Sequence, residues 1–427
     1  MQYRAAKGMN DILPDEVGRW RRLETAFRST VERHGYGEIR TPLLEPTELF
    51  VRSVGETTDI VQKEMFTLDH RGTSLTLRPE GTASAARAYI EHTVGAREPV
   101  TRWYYLGPMF RAENVQRGRY RQFYQAGCEV FGDPGPASDA EMIDMLYRFF
   151  GGLGIGDVEV LVNSLGGKGT RERYRDLLRT HLAPHADELS ENSRKRLDDN
   201  PLRILDSKSP RDQELASGAP PILDILDDAD RAHWEGLCRH LDALGVPYRV
   251  EPRLVRGLDY YTRTLFELKS AAGALGAQNA LGGGGRYDAM IQELGGQSVP
   301  AIGFAIGLER VLLAMGAREE TREGFCYIAP IGERTVSRGL VLARDLRDRG
   351  IRTELDGRGG SVKSMLRRAN ALGARVCVLL GDAELERAVV KVKDLAGHTE
   401  EEVPMDAAVA RIAELVTATV PKHEDPR

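Results

Sequence analysis

The spacing of apolar positions changes period several times along the chain, and each change marks an element. Between residues 16 and 34, Val17, Trp20, Phe27 and Val31 recur at helical spacing, while arginines and glutamates fall mostly elsewhere. This predicts an amphipathic helix closed by Gly35 and Gly37. Ile39-Arg40-Thr41-Pro42-Leu43-Leu44 follows as a short strand interrupted by proline, which suits an edge or an interface better than a sheet centre. After a helix around residues 81–92 come two aromatic-rich segments, 102–110 and 121–131, joined by a polar stretch. They predict a long β-hairpin or two neighbouring antiparallel strands. Alternation places Arg121, Phe123, Gln125, Gly127, Glu129 and Phe131 on one face of the second strand. Polar side chains at 125 and 129 on a face shared with phenylalanines do not fit pure core packing, so a polar group is expected there.

Further along, Ser138-Asp139-Ala140-Glu141 has capping-box spacing and predicts a helix running to Phe150, followed by a strand at 158–162. Residues 170–250 turn helical and strongly charged. Strand character returns at 258–268, glycines crowd 282–285, and 300–307 leads into a helix from about Leu308. From 325 onward the pattern reads strand, helix, strand, helix, strand (325–329, 335–349, 351–355, 361–372, 375–380), then a strand at 389–392 and a helix near 405–418. A charged segment at 318–324 separates the two patterns. The expectation is an α+β protein: an antiparallel core in two parts (1–169 and 251–320), a mainly helical insertion (170–250), and a separate C-terminal mixed α/β domain (325–427).

At 427 residues, with 41% hydrophobic and 29% charged residues, the chain is long enough for two or three domains and unlike a disordered, collagenous or coiled-coil sequence. No stretch approaches the ~20 apolar residues that span a bilayer. The first seven residues carry basic groups with no apolar run behind them, so no secretory leader is expected. Four widely separated cysteines fit neither a zinc pattern nor a disulfide scaffold, so no structural zinc and a reducing cytoplasm are expected. The net charge is −5, yet residues 325–380 hold 11 Lys and Arg against 5 Asp and Glu. Residues 111–121 hold four arginines and one glutamate. A phosphate-rich partner would meet those two regions.

Several attractive motifs fail. Gly166-Gly167-Lys168-Gly169-Thr170 lacks the spacing of a phosphate loop, and the glycines of 151–156 follow a helix and precede a strand, the reverse of a dinucleotide fingerprint. His181 and His185 have no accompanying ligand motif, and no nucleophile elbow is present. Three stretches survive: residues 77–82 with Glu80 and Thr82; residues 110–129 with Arg111, Glu113, Arg117, Arg119, Arg121, Gln125 and Glu129; and residues 254–267 with Arg256, Asp259, Tyr260, Tyr261 and Glu267. Arg310 opens the helix after 307. An ion pair between Arg256 and Asp259 is one expectation for the third stretch. Arginines, carboxylates and phenols without a conventional nucleophile suit phosphate-centred chemistry run by positioning and charge neutralisation. They also offer acceptors to a small cationic or imidazole-bearing molecule.

At these residues the sequence resembles the bacterial type of the histidyl-tRNA synthetase family, class II aminoacyl-tRNA synthetases. Residues 35–50, 110–131 and 301–312 resemble the three class motifs. Residues 256–261 with 284–287 resemble the histidine-specific signatures, and 200–208 resembles a bacterial insertion segment. The resemblance implies an antiparallel class II core in a cytoplasmic homodimer with no membrane association, and a C-terminal anticodon-binding domain. It implies activation of L-histidine by ATP, with Mg²⁺ accompanying the nucleotide, and transfer of the histidyl group to the 3′-terminal adenosine of tRNA(His). By the same resemblance Arg111 and Arg256 would hold the α-phosphate as catalytic residues, Arg310 the γ-phosphate, and Glu113 and Arg119 the nucleotide. Glu80, Thr82 and Gln125 would take the α-amino group, Glu129 and Tyr261 would read the imidazole, and Tyr287 would close the pocket. Gln116 would touch the tRNA acceptor end; the neighbouring Asn114 and Val115 depart from the arginine and proline common in relatives. A regulatory paralogue of ATP phosphoribosyltransferase would share the core but usually lacks the C-terminal domain and erodes these arginines.

Overall fold

The computed structural model describes residues 3–56, 58–271, 275, 279–316 and 324–418. The chain divides into two compact units, residues 1–318 and 319–427. The expected boundary segment at 318–324 lies almost wholly outside the described residues.

In the first unit, α1 (Pro14–Arg33) starts on a proline, where a missing N–H costs nothing, with Asp15 and Glu16 in its positive first turn. It buries Leu23, Phe27 and Val31, one residue per turn. The strand expected over 39–44 is instead two pieces in two sheets, β1 (Gly37–Glu38) and β2 (Leu44–Pro46). Pro42 lies between them and has no N–H to give a ladder. After α2 (Thr47–Val54), β3 (Phe66–His70) and β4 (Thr73–Leu77) form a hairpin that the sequence analysis did not anticipate and that pairs with β2. Helix α3 (Thr82–Glu91) leads to β5 (Thr101–Phe110) and β6 (Gln122–Phe131), antiparallel along their whole length as expected.

Helix α4 (Pro136–Gly152) starts earlier than its expected capping box. Ser138 is already inside the helix and bonds Asp133, while Glu141 pairs with Arg102, so the box does not form. Strand β7 (Val158–Ser164) is followed by α5 (Lys168–Leu182), α6 (Glu191–Asp199), α7 (Pro210–Ser217) and α8 (Asp228–Leu244). This stretch is helical as expected, but its end belongs to the core. Leu237 and Leu241 of α8 pack in the main hydrophobic cluster, and β8 (Tyr248–Val250) pairs parallel with β7. Strand β9 (Thr262–Ser270) begins later than expected, leaving residues 256–261 as a loop. The glycines of 282–285 lie inside a strand, β10 (Ala280–Arg286). Then follow α9 (Met290–Glu293), β11 (Ala301–Gly307) and α10 (Leu308–Ala314).

The main sheet runs β1-β5-β6-β11-β10-β9-β7-β8, antiparallel inside and parallel at the two edge pairs. Helices α1, α4 and α8 cover one face; the site lies on the other. One buried ionic knot ties these layers together. Asp139 of α4 accepts from Arg286 Nε (2.9 Å), Thr264 Oγ1 (2.5 Å) and His233 Nε2 (2.9 Å), and neither Asp139 nor Arg286 is exposed at all.

The second unit is a mixed five-stranded sheet. Its elements are β12 (Cys326–Ile331), α11 (Glu333–Asp348), β13 (Thr353–Leu355), α12 (Val362–Leu372), β14 (Val376–Gly381), α13 (Asp382–Glu386), β15 (Val389–Asp394), β16 (Thr399–Pro404) and α14 (Ala408–Thr417). The parallel β12, β13 and β14 match the expected alternation; β16 was not foreseen, because three consecutive glutamates give it no apolar stripe. No helix of the described residues is long and apolar enough to cross a membrane.

Removing one partner of a fully buried ion pair leaves the other uncompensated and costs about 3–5 kcal/mol. Asp139→Asn should therefore destabilise the first unit by that order, read as a lowered thermal midpoint, whereas Glu38→Gln at the exposed Arg40 pair should change it little.

Candidate active site

The site is built on the face of β5, β6, β11, β10 and β9 opposite α1. Its centre is Glu129, wholly buried on β6. Three hydroxyls reach its carboxylate: Thr82 Oγ1 at 2.7 Å and Tyr105 at 3.1 Å on one oxygen, and Tyr287 on the other. The sheet makes room for it by omission. Gly303 stands opposite Glu129 on β11, and a Cβ there would overlap the carboxylate. Burial pushes the Glu129 carboxyl up to about 8, outweighing the donors Tyr287, Thr82 and Tyr105 that favour its ionised form.

Glu80 and Thr82 flank the start of α3. Both oxygens of Glu80 accept backbone N–H groups, of Thr82 (2.7 Å) and Ala83 (2.8 Å), so the carboxylate caps the helix as well as facing the site. Its pKa is raised by burial against those bonds. Gln125 lies four residues before Glu129 on the same strand face, and its Oε1 is buried with no hydrogen-bond partner. Tyr261 is not among the donors to Glu129. Its ring lies 4.6 Å from Tyr260, which in turn stands edge-on to Tyr287 at 5.5 Å, so the three phenols wall one side of the pocket.

Arg256 does not pair with Asp259. Its NH1 meets Glu267 Oε2 on β9 at 2.5 Å, and its guanidinium lies over Gly283, where a Cβ would sit 3.0 Å from NH1. The glycine run in β10 therefore leaves the sheet surface flat enough for an arginine to lie on it. Asp259 instead accepts from Asn200 (3.0 Å) and Arg203 (3.2 Å). Arg203 also donates to the carbonyls of Arg256 and Gly257, so the 200–208 segment of the insertion holds the 256–259 loop in place.

On the other side, Arg111 donates Nε to Pro79 O (2.8 Å) and lies over the Phe123 ring at 5.3 Å. Glu113 stands between Arg111 (3.8 Å) and Arg119 (3.1 Å). Gln116 and Arg119 close a tight turn through Gly118 (φ 73°), with Val115, Gln116 and Arg117 exposed at its tip. Arg310 donates to Gly118 O and Ala280 O. Burial lowers its pKa, and the charges of Arg119, Arg111 and Arg256 lower it further. Arg310 thus lies within electrostatic reach of three further guanidiniums drawn from two other stretches of the chain. Among the described residues no group of three or more His, Cys, Asp or Glu could hold a metal ion. The glycines at 166–167 face a carboxylate, with Gly167 N–H donating to Asp230, which no phosphate could share.

A family model described as "Histidyl-tRNA synthetase" matches residues 8–311, and one described as "Anticodon binding domain" matches 325–415. The chain belongs to the histidyl-tRNA synthetase family. A histidine--tRNA ligase of Sorangium cellulosum is 62% identical over 414 residues, 97% of each chain. One of Geobacillus sp. is 44% identical over 421 residues, 97% of this chain and 99% of that one. The apo histidyl-tRNA synthetase of S. aureus, 35% identical, superposes with a TM-score of 0.81 over 96% of this chain and 99% of the other. The protein is therefore a histidine--tRNA ligase, which activates histidine with ATP and transfers the histidyl group to tRNA(His). The synthetase site also contains groups the sequence analysis did not assign: Tyr105, Gly303, Gly283 and the pairing of Glu267. Tyr105 was findable, since it pairs directly with Gly127 across the hairpin.

Because the folded pKa of Glu129 lies near 8 and its ordinary value is 4.5, the folded synthetase keeps a proton that the unfolded chain has released between those values. Stability then falls as pH rises through this window and levels off above it. Glu129→Gln should flatten that decline, measured as the thermal midpoint of the enzyme without substrates at about pH 5, 6.5 and 8.

Proposed function

We propose that the residues gathered here divide the adenylation reaction between a phosphate side and a histidine side. Arg111 and Arg256 take opposite sides of the α-phosphate as a histidine carboxylate oxygen bonds to phosphorus and the bond to pyrophosphate breaks. Charge grows on the phosphoryl oxygens in that step, so fixed guanidiniums stabilise the transition state more than the bound reactants. Arg310 holds the γ-phosphate, and Glu113 with Arg119 orient the nucleotide. Mg²⁺ enters as part of the ATP substrate and offsets charge on its phosphates. The observation that carries this reading is that Arg310 lies within electrostatic reach of Arg119, Arg111 and Arg256, with Glu113 between two of them.

On the histidine side, Glu80, Thr82 and Gln125 receive the α-amino group; the unpartnered Gln125 Oε1 supports that role. Glu129 accepts an imidazole N–H, Tyr261 serves the other ring nitrogen, and Tyr287 with Tyr105 fixes the carboxylate that does the reading. A pocket of buried polar groups rejects an apolar isostere because its own groups would be left unpaired.

The second step transfers the histidyl group from the adenylate to the 3′-terminal adenosine, releasing AMP. The exposed tip at Gln116 suits contact with the acceptor end. Exposed Lys363, Arg367 and Arg368 on α12 suit contact with anticodon phosphates, whereas Arg358 is engaged by Asp356. The synthetase works as a cytoplasmic homodimer; exposed Leu43, Leu44 and Leu68 on and beside the small sheet of β2, β3 and β4 support an interface there.

ATP–pyrophosphate exchange tests the division. Glu129→Gln should raise KM for histidine at least tenfold while changing KM for ATP less than threefold, the order expected when buried polar groups lose a matched partner at about 1–3 kcal/mol; equal losses in both would count against it. Removing residues after 324 should leave exchange within about threefold and reduce tRNA charging by more than tenfold, and unchanged charging by a folded truncation would refute the division of labour between the two units.

A further inference from the structure

The reaction as described uses Arg310 and gives no part to its neighbour Glu309. Strand β11 pairs with β6 only as far as Gly307 opposite Gln125, then turns into α10. Strand β6 continues without it, paired through Gln122 with β5, and the N–H groups of Arg121 and Gln122 are accepted by Gly8 O at 2.7 and 3.1 Å. On the side β11 has vacated, the Tyr124 N–H is accepted by both oxygens of Glu309, at 2.9 and 3.2 Å. A side chain here does the work of a missing strand. Beside it lies a cavity of about 220 Å³ lined by Trp20, Tyr120, Gln122, Tyr124, Glu309 and Leu312, with the Trp20 ring edge-on to Tyr124 at 5.1 Å.

What this bond holds is specific. Gln125, on the histidine side, is fixed by ladder partners on both flanks, Gly107 and Gly307. Phe123 and the 111–121 loop lie beyond the last β11 pair. Phe123 stacks under Arg111, and the same loop receives Arg310 at Gly118 O. We infer that Glu309 is a positioning residue for the ATP half of the site: beside the Gly8 contact, it is the side chain that clamps the end of β6 beyond β11 to the first turn of α10, keeping Phe123, the arginine loop and Arg310 in one register. Burial lifts the Glu309 carboxyl to about 7, and a carboxyl accepts an N–H whether ionised or neutral. An amide carbonyl of the same reach should therefore serve, and a shorter side chain should not.

This inference rests on the reading of Arg310 as an ATP ligand, so Arg310→Ala is run beside it. Exchange kinetics of the full chain would give KM for ATP and for histidine separately. Glu309→Asp and Glu309→Ala should raise KM for ATP about tenfold, the order expected when a buried N–H loses its acceptor, with KM for histidine within twofold. Glu309→Gln should restore KM for ATP to near the wild-type value. The clamp is overturned if Asp and Ala leave KM for ATP unchanged while Arg310→Ala raises it, if both KM values rise together, or if Gln is as impaired as Ala. Should Glu309→Ala fail to fold, the Asp and Gln pair carries the same comparison. An unchanged KM for ATP in Arg310→Ala would overturn the ATP reading itself, and the clamp's purpose with it.

Discussion

Like charges do not gather unaided, and Arg310 lies within electrostatic reach of Arg119, Arg111 and Arg256 in the synthetase. The fold supplies what keeps them there. Glu113 stands between two of them and Glu267 holds a third. Backbone carbonyls of Pro79, Gly118 and Ala280 take further guanidinium N–H groups, fixing direction as well as position. Because the orientation is set before ATP arrives, little rearrangement is left for the chemical step. The broad antiparallel sheet serves this end: it brings a hairpin, a glycine strand and a strand-to-helix turn to one surface.

The pocket proposed for histidine works by the opposite economy. There a single carboxylate is taken out of water and surrounded by hydroxyls, with the sheet thinned to glycine at 303 to admit it. Desolvation raises its proton affinity, so a donor or cation arriving in the pocket meets a group whose protonation responds to it. Charge concentration on one side and charge burial on the other give the two substrates different physical addresses within one groove.

Much of this was legible in the chain. Gln125 and Glu129 betrayed themselves as polar residues on a face shared with phenylalanines, and Arg111 and Arg256 as charges beside strand ends. The periodicity also located α1, the β5–β6 hairpin and the alternating second unit. What escaped depended on contacts between distant segments. Asp259 sits three residues from Arg256 and was the natural partner by proximity, yet Asn200 and Arg203 claim it from the insertion. The glycine cluster at 282–285 carried no strand signal because glycine weakens strands in isolation; its value lies in what lies on top of it. The β3–β4 hairpin was passed over although Phe66 and Leu68, and Leu75 and Leu77, alternate with polar residues, because each run is only five residues long.

The pairing of β8 beside β7 recasts the long helical stretch between them. Two parallel neighbours require a crossover, and helices α5 to α8 are that crossover, grown to several times the minimum length. Its entry and exit are pinned side by side, at Val160 opposite Tyr248. Closure entropy rises only slowly with loop length, so this connection can lengthen, shrink or change sequence while the sheet on either side keeps its register. Topology thus leaves α5 to α7 as the part of this connection freest to change, because α8 is held in the core by His233, Leu237 and Leu241 and the short 200–208 segment is anchored on the site.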